Sequence, residues 1–168
     1  MPTDALMRTV DELVVKAPAT VMYELAADVE SWPSLLPHYR YVRFRERQVG
    51  GGTVEMAANR PFGVLDWPTW WVSHMDVRPH SDRPDPVIRF RHIEGITSRM
   101  EVEWAFSPLS NDTTHVSIVH SWNGPSWPLV GPVAARAVIG PVFVHGIASR
   151  TLAGLAAAAE RRQNSARA

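Results

Sequence analysis

The stretch W-P-S-L-L-P-H-Y-R, Trp32 to Arg40, sets two prolines, two aromatic rings, two leucines, a histidine and an arginine side by side. A segment so stiff and so apolar either plugs one end of a core or forms the lip of a pocket. Pro33 fits the first turn of a very short helix and Pro37 ends it. Just upstream, Thr20 is placed to cap another short helix, with Glu24 in its first turns and Val21, Leu25 and Val29 as an apolar stripe. Before that lies a strand, Thr9 to Lys16, with Val10, Leu13, Val14 and Val15 as core candidates and Ala17-Pro18 as its end. One strand therefore leads into two small helices.

Downstream the period changes from helical to alternating. Strands are expected at Tyr39 to Val49, Thr53 to Asn59, Leu65 to Val77, Pro86 to Ile93, Ile96 to Pro108 and Val116 to Trp122, separated by Gly-rich, Pro-rich or Asn-Asp turns. The last element is a helix from about Pro141 to Gln163, with Phe143, Ile147, Thr151, Leu155 and Ala159 on one stripe. At 1.5 Å per residue it would be roughly 33 Å long, enough to cross a curved sheet. Residues 164–168 are expected to fray. The order defines an α+β domain occupying the whole of 1–168. A sheet this long must curl, and one helix cannot fill its concave face, so an internal cavity is expected.

The totals narrow the partners. The chain has 168 residues, 17 basic against 17 acidic side chains, and no cysteine. No net field draws it to nucleic acid, and neither disulfides nor thiolate sites can form. The segment 128–159 is mostly apolar, but Pro132, Arg136, Pro141, His145 and Arg150 cut it well below the roughly 20 residues a membrane span needs. Asp4 and Arg8 interrupt the start, where a secretory signal would need an unbroken apolar run. A cytoplasmic protein without a membrane span is the expectation.

Alternation assigns some side chains to faces. Met100, Val102, Trp104 and Phe106 share one face, and Val116, Ile118, His120 and Trp122 another, which points His120 and Trp122 inward. Two strands stay ambiguous. In one, Trp71, Ser73, Met75 and Val77 oppose Trp70, Val72, His74 and Asp76; in the other, Val87, Arg89, Arg91 and Ile93 oppose Ile88, Phe90 and His92. Seven tryptophans suit either an aromatic core or a pocket for flat, unsaturated ligands. The seven histidines form no H-x-H or H-x-x-x-H pair, no G-x-S-x-G elbow occurs, and Gly50-Gly51-Gly52 opens no helix. No metal, nucleotide or other cofactor is implied.

The pieces L-V-V-K-A-P-A-T-V-M-Y-E-L-A-A-D-V-E-S-W-P-S-L-L-P-H-Y-R, W-V-S-H and M-E-V-E-W, followed by the long last helix, resemble the polyketide aromatase/cyclases of the helix-grip (START-like) superfamily. The resemblance spans Leu13 to about Glu160. It implies a curved antiparallel sheet of about seven strands wrapped around the C-terminal helix. It also implies pocket roles for Trp32 and Tyr39, for Trp71 and Ser73 on an inward face, for Arg91 and for Trp104. Met75 stands where the family's strand carries an arginine. The expected catalytic set is then Arg91 and Tyr39 to polarise carbonyls and His120 to move a proton. Trp32, Leu36, Trp71, Ser73, Met75, Trp104, Trp122, Phe143 and Ile147 would line the substrate. The activity implied is cofactor-free aldol closure and dehydration of a poly-β-ketone, delivered by an acyl carrier protein to a monomer or homodimer. The alternative is a non-enzymatic carrier of a lipid or isoprenoid quinone.

Overall fold

The computed structural model describes residues 5, 7–62, 65–78, 85–124 and 144–167. Strand β1 (Met7–Val15) leads into α1 (Ala19–Ala27), a 3-10 turn (Val29–Ser31) and α2 (Trp32–Leu35). Strands β2 (Tyr39–Gln48), β3 (Gly51–Phe62), β4 (Leu65–Arg78), β5 (Val87–Gly95), β6 (Glu101–Ser110) and β7 (Thr113–Trp122) follow, and the C-terminal helix is α3 (His145–Arg167). The sheet order is β1-β7-β6-β5-β4-β3-β2, with every neighbouring pair antiparallel. Six strands thus run as a meander, and β1 returns beside the last of them. This is the helix-grip arrangement expected from the sequence.

Local chemistry explains the elements. Helix α1 begins after Pro18, which has no side-chain cap, so Thr20 sits inside the helix rather than at its head. The buried residues of α1 are Ala19, Met22 and Ala26, with Val21 and Leu25 half-buried beside them. Pro33 occupies the first turn of α2 as its fixed φ allows. At the β2–β3 hairpin, Gly51 passes so close to β4 that a Cβ would stand 1.9 Å from the Met75 carbonyl oxygen. Any side chain there would push two strands apart.

Helix α3 buries Ile147, Thr151, Leu155 and Ala159 on the expected stripe, widened by Ala148, Leu152, Ala156 and Ala158. Small residues let the helix lie close to its neighbours. Gly154 is the extreme case, since a Cβ there would meet Leu36 Cδ2 at 2.2 Å. Near one end of α3, Glu160 accepts from the Lys16 N–H at 3.0 Å. At the other, His145 pairs with Asp11, a buried carboxyl that desolvation pushes above its ordinary range despite the histidine. The helix runs to Arg167, and Gln163 and Arg167 both bind Asp112. Among the described residues no helix is long and apolar enough to cross a membrane.

Candidate functional site

Between the concave face of the sheet and α3 lies a cavity walled by Trp32, Tyr39, Trp71, Phe90, Trp104 and His120 on one side and by Val144 and by Ile147, Ala148 and Thr151 of α3 on the other. Its rings form a continuous chain. Trp32 meets Tyr39 edge-on at 5.2 Å and Trp104 at 5.8 Å, Tyr39 lies 6.2 Å from Trp71, and Trp71 stacks on His92 at 6.0 Å. The Trp32 indole N–H is satisfied by the Leu25 carbonyl at 3.1 Å, which fixes the ring at the cavity's edge. None of the lining side chains named for this cavity carries a formal charge at pH 7 when its histidines are neutral.

The hollow expected from the sequence is there but nearly filled. Its volume is about 60 Å³, room for a few waters and well below the roughly 300 Å³ at which small-molecule pockets begin. An organic guest must therefore displace wall side chains. Met56 and Met100 are the most deformable of these, having unbranched chains.

Two polar clusters interrupt the apolar wall. In the first, the Thr151 hydroxyl donates to the Ile147 carbonyl at 2.8 Å. The same hydroxyl also faces the Tyr39 hydroxyl oxygen as a second acceptor at 3.3 Å, and His38 Nε2 lies 3.1 Å from it. Burial, assisted by the positive Arg150, holds His38 below the usual histidine range and keeps it neutral. In the second cluster, His92 Nδ1 lies 2.7 Å from Thr97 Oγ1, both buried. His120 stands on the same sheet face, one strand beyond β6, paired in register with Val102.

The sequence-derived candidates divide into three groups. Trp32, Tyr39, Trp71, Trp104, His120 and Ile147 line the cavity. Leu36, Ser73, Met75 and Trp122 are buried but do not line it. Leu36 seats in the notch at Gly154, and the Trp122 indole N–H donates to the Ser98 carbonyl at 2.9 Å, clamping the β5–β6 turn. Ser73 is fully buried with no hydrogen-bond partner for Oγ among the described residues, an arrangement that costs about 1 to 3 kcal/mol.

Arg91 is a correction. It is exposed on the convex face, its register partners being His74 on β4 and Glu101 on β6. The inward set on β5 is Ile88, Phe90 and His92, because turning the other set inward would strand the Arg89 and Arg91 guanidiniums. Phe143 lies outside the described residues. The sequence reading missed His92, Thr97, His38 and Thr151 as site residues. The signal for His92 was its parity with Phe90.

The segment W-P-S-L-L-P-H-Y-R thus does both jobs. Leu36 plugs the core, while Trp32 and Tyr39 form the cavity wall.

A curved antiparallel sheet gripping a long helix around a small, aromatic, uncharged cavity defines the helix-grip class of fold. Residues 15–141 match the polyketide cyclase / dehydrase and lipid transport family, and the chain belongs to that family. Among solved structures it is similar to the Zhui aromatase/cyclase of Streptomyces sp. R1128, with TM-score 0.72 and 21% identity over 93% of this chain and 94% of that one. It is also similar to the di-domain aromatase/cyclase BexL, with TM-score 0.65 and 21% identity over 90% of this chain and 45% of that one. A START superfamily protein from Mycobacterium smegmatis matches with TM-score 0.63 and 17% identity, over 92% of this chain and 95% of that one. No curated protein matches by sequence.

Proposed function

We propose that this chain binds a linear poly-β-ketone or related acyl chain between its sheet and α3, and promotes aldol cyclisation and dehydration without a cofactor. The observation that carries this reading is the pairing of an uncharged aromatic wall with proton-carrying groups, Tyr39 and His120, on that wall. The family description and the aromatase/cyclase neighbours support it. Flat rings fold a conjugated chain, and holding its two ends together is worth about 7 to 11 kcal/mol of barrier when alignment is good. Tyr39 donates to a carbonyl oxygen and stabilises the enolate, and His120 moves a proton. An acyl carrier protein would bring the chain, and the cavity would widen to take it.

The second reading is a carrier of a lipid or isoprenoid quinone. It is favoured by Met75, buried where the resemblance implies an arginine, and by the outward position of Arg91. The two readings part in one experiment. The purified protein is searched for bound small molecules by mass spectrometry and incubated with the N-acetylcysteamine thioester of a poly-β-ketone, beside Tyr39→Phe and His120→Ala. Cyclised product that falls by about 10² or more in His120→Ala supports the enzyme. A tightly held lipid with no turnover establishes the carrier.

A further inference from the structure

Strand β5 and the turn joining it to β6 carry a histidine and a threonine that the reading above leaves without a role. His92 and Thr97 both line the cavity, 2.7 Å apart between Nδ1 and Oγ1. Trp71 stacks on the imidazole with its plane inclined by 21°, which fixes the orientation of the ring. Thr97 reaches this position through a costly backbone. Gly95 has φ +93°, and a Cβ on it would lie 2.7 Å from the Trp70 carbonyl oxygen. Arg99 has φ 70°, left-handed for a residue that avoids that region. Such a conformation survives only where its surroundings hold it. Here the Arg99 N–H donates to the His92 carbonyl at 2.8 Å, Met100 N–H to Thr97 at 3.0 Å, and the Trp122 indole to Ser98 at 2.9 Å. What all of these constraints achieve is one hydroxyl set against one imidazole nitrogen. In the adjacent cross-strand position, register places Ser73 beside His92, and its buried hydroxyl lacks a partner among the described residues.

We propose that His92 is a catalytic proton-transfer residue of this cavity, with Thr97 as its positioning residue. This rests on the ring-closure reading above and adds the base that starts the reaction. With Thr97 Oγ1 accepting from Nδ1–H, the imidazole lone pair is on Nε2. Nε2 takes a proton from a carbon flanked by two carbonyls, and the C–H electron pair moves into the enolate. The enolate carbon forms a bond to a second carbonyl carbon of the same chain. That carbonyl's oxygen receives its π pair and then a proton from the imidazolium. Loss of a further α-proton with departure of the hydroxyl as water leaves a C=C bond. Carbon is neither oxidised nor reduced overall, so no redox partner is required.

The test uses the full chain and has three arms. Nitrogen-15 NMR of the labelled imidazoles reads the His92 tautomer without substrate. Nδ1–H is expected in the wild type and in Thr97→Ser, with a shift toward Nε2–H in Thr97→Val; an Nε2–H wild type overturns the proposal. Deuterium exchange at the activated methylene of the N-acetylcysteamine poly-β-ketone thioester reads proton transfer alone. Acceleration over buffer should vanish in His92→Gln, a polar replacement whose melting temperature shows that it folds. Exchange that persists in His92→Gln, or no acceleration by the wild type, overturns the proposal. Turnover of the same thioester should fall about 10²-fold or more in kcat for His92→Gln with KM nearly unchanged, and Thr97→Val should move the acid limb of the kcat profile while Thr97→Ser restores it. Accelerated exchange without ring closure would sink the cyclase reading and leave the role of His92 standing.

Discussion

The two faces of the same sheet solve the problem of polar residues in opposite ways. On the convex face, Glu55 accepts from Tyr41 at 2.8 Å, Arg43 at 3.0 Å and Arg45 at 3.0 Å, and Arg45 reaches on to Glu94 at 2.7 Å. Hydrogen bonding by Tyr41 and then Arg45 holds the Glu55 carboxyl at about 2. This network roofs Val72, which is fully buried although it points away from the cavity and is paired in register with Glu55 and Glu94. On the concave face the polar groups are few, and Thr151 is tied to Tyr39 and His38 as Thr97 is to His92. A face whose charges are cancelled locally stabilises, whereas one that keeps proton carriers against aromatic walls stays available to a ligand.

Trimming the concave wall should have the largest effect on stability. Trp32→Ala removes a ring that touches Tyr39, Phe90 and Trp104. It should cost about 3 to 5 kcal/mol, read by chemical denaturation at pH 7. The same variant enlarges a cavity of about 60 Å³, so a small aromatic such as indole should raise its melting temperature more than that of the wild type. A loss below 1 kcal/mol would show that the inner wall is not the tightly packed partner in the comparison.

On the convex face, Glu55→Gln removes the charge that Tyr41 and two arginines converge on. The expected loss is about 1.5 to 3 kcal/mol, as for hydrogen bonds to charged groups. The native carboxyl titrates near 2 and the unfolded one near 4.5. Its contribution is therefore complete above 4.5 and disappears as pH falls toward 2. Glu55→Gln should flatten the acid limb of the stability curve. If the limb keeps its slope, the outer network is not what the carboxyl's hydrogen bonds indicate.

A smaller effect is expected from His38. Burial, with Arg150, lowers its pKa in the native state, so the unfolded chain binds a proton first as pH falls through the ordinary histidine value of about 6.5. Stability from this group is full above that value and declines below it until the native pKa is passed. His38→Gln should weaken the pH dependence in that window. An unchanged slope would remove His38 from the neutral cluster with Thr151.

How far these faces could be read in advance depended on their periodicity. Met100, Val102, Trp104 and Phe106 alternate cleanly and declare their side. The β5 pattern does not, since its two sets hold Arg89 and Arg91 in one and His92 in the other. The resemblance to a family pocket arginine favoured the set with Arg91, which is exposed. The ladder also breaks between Val72 and Ser73, where β5 inserts Ile93. Beyond such a bulge strict alternation fails, and Glu94 joins the outer network. The expected strand from Ile96 missed the turn at 96–99 because Arg99 carries a left-handed backbone that its side chain does not advertise. Thr97, and with it the setting of His92, was hidden by that turn. The C-terminal helix stripe, by contrast, was legible because Ile147, Thr151, Leu155 and Ala159 keep a four-residue spacing.

The least effect is expected at Arg91, one residue from His92 and on the opposite face. Its neighbours in register are His74 and Glu101, and its side chain is exposed, so Arg91→Ala should change stability by no more than about 0.5 kcal/mol. Turnover of the poly-β-ketone thioester should match the wild type within error, because a guanidinium outside the sheet cannot reach an oxyanion inside it. A loss of about 10² or more, the effect of deleting an oxyanion donor, would mean that β5 turns over when ligand binds. The cavity would then be lined by the other parity, and His92 would leave it as Arg91 entered. Paired measurements on Arg91→Ala and His92→Gln therefore ask which face of one strand holds the chemistry.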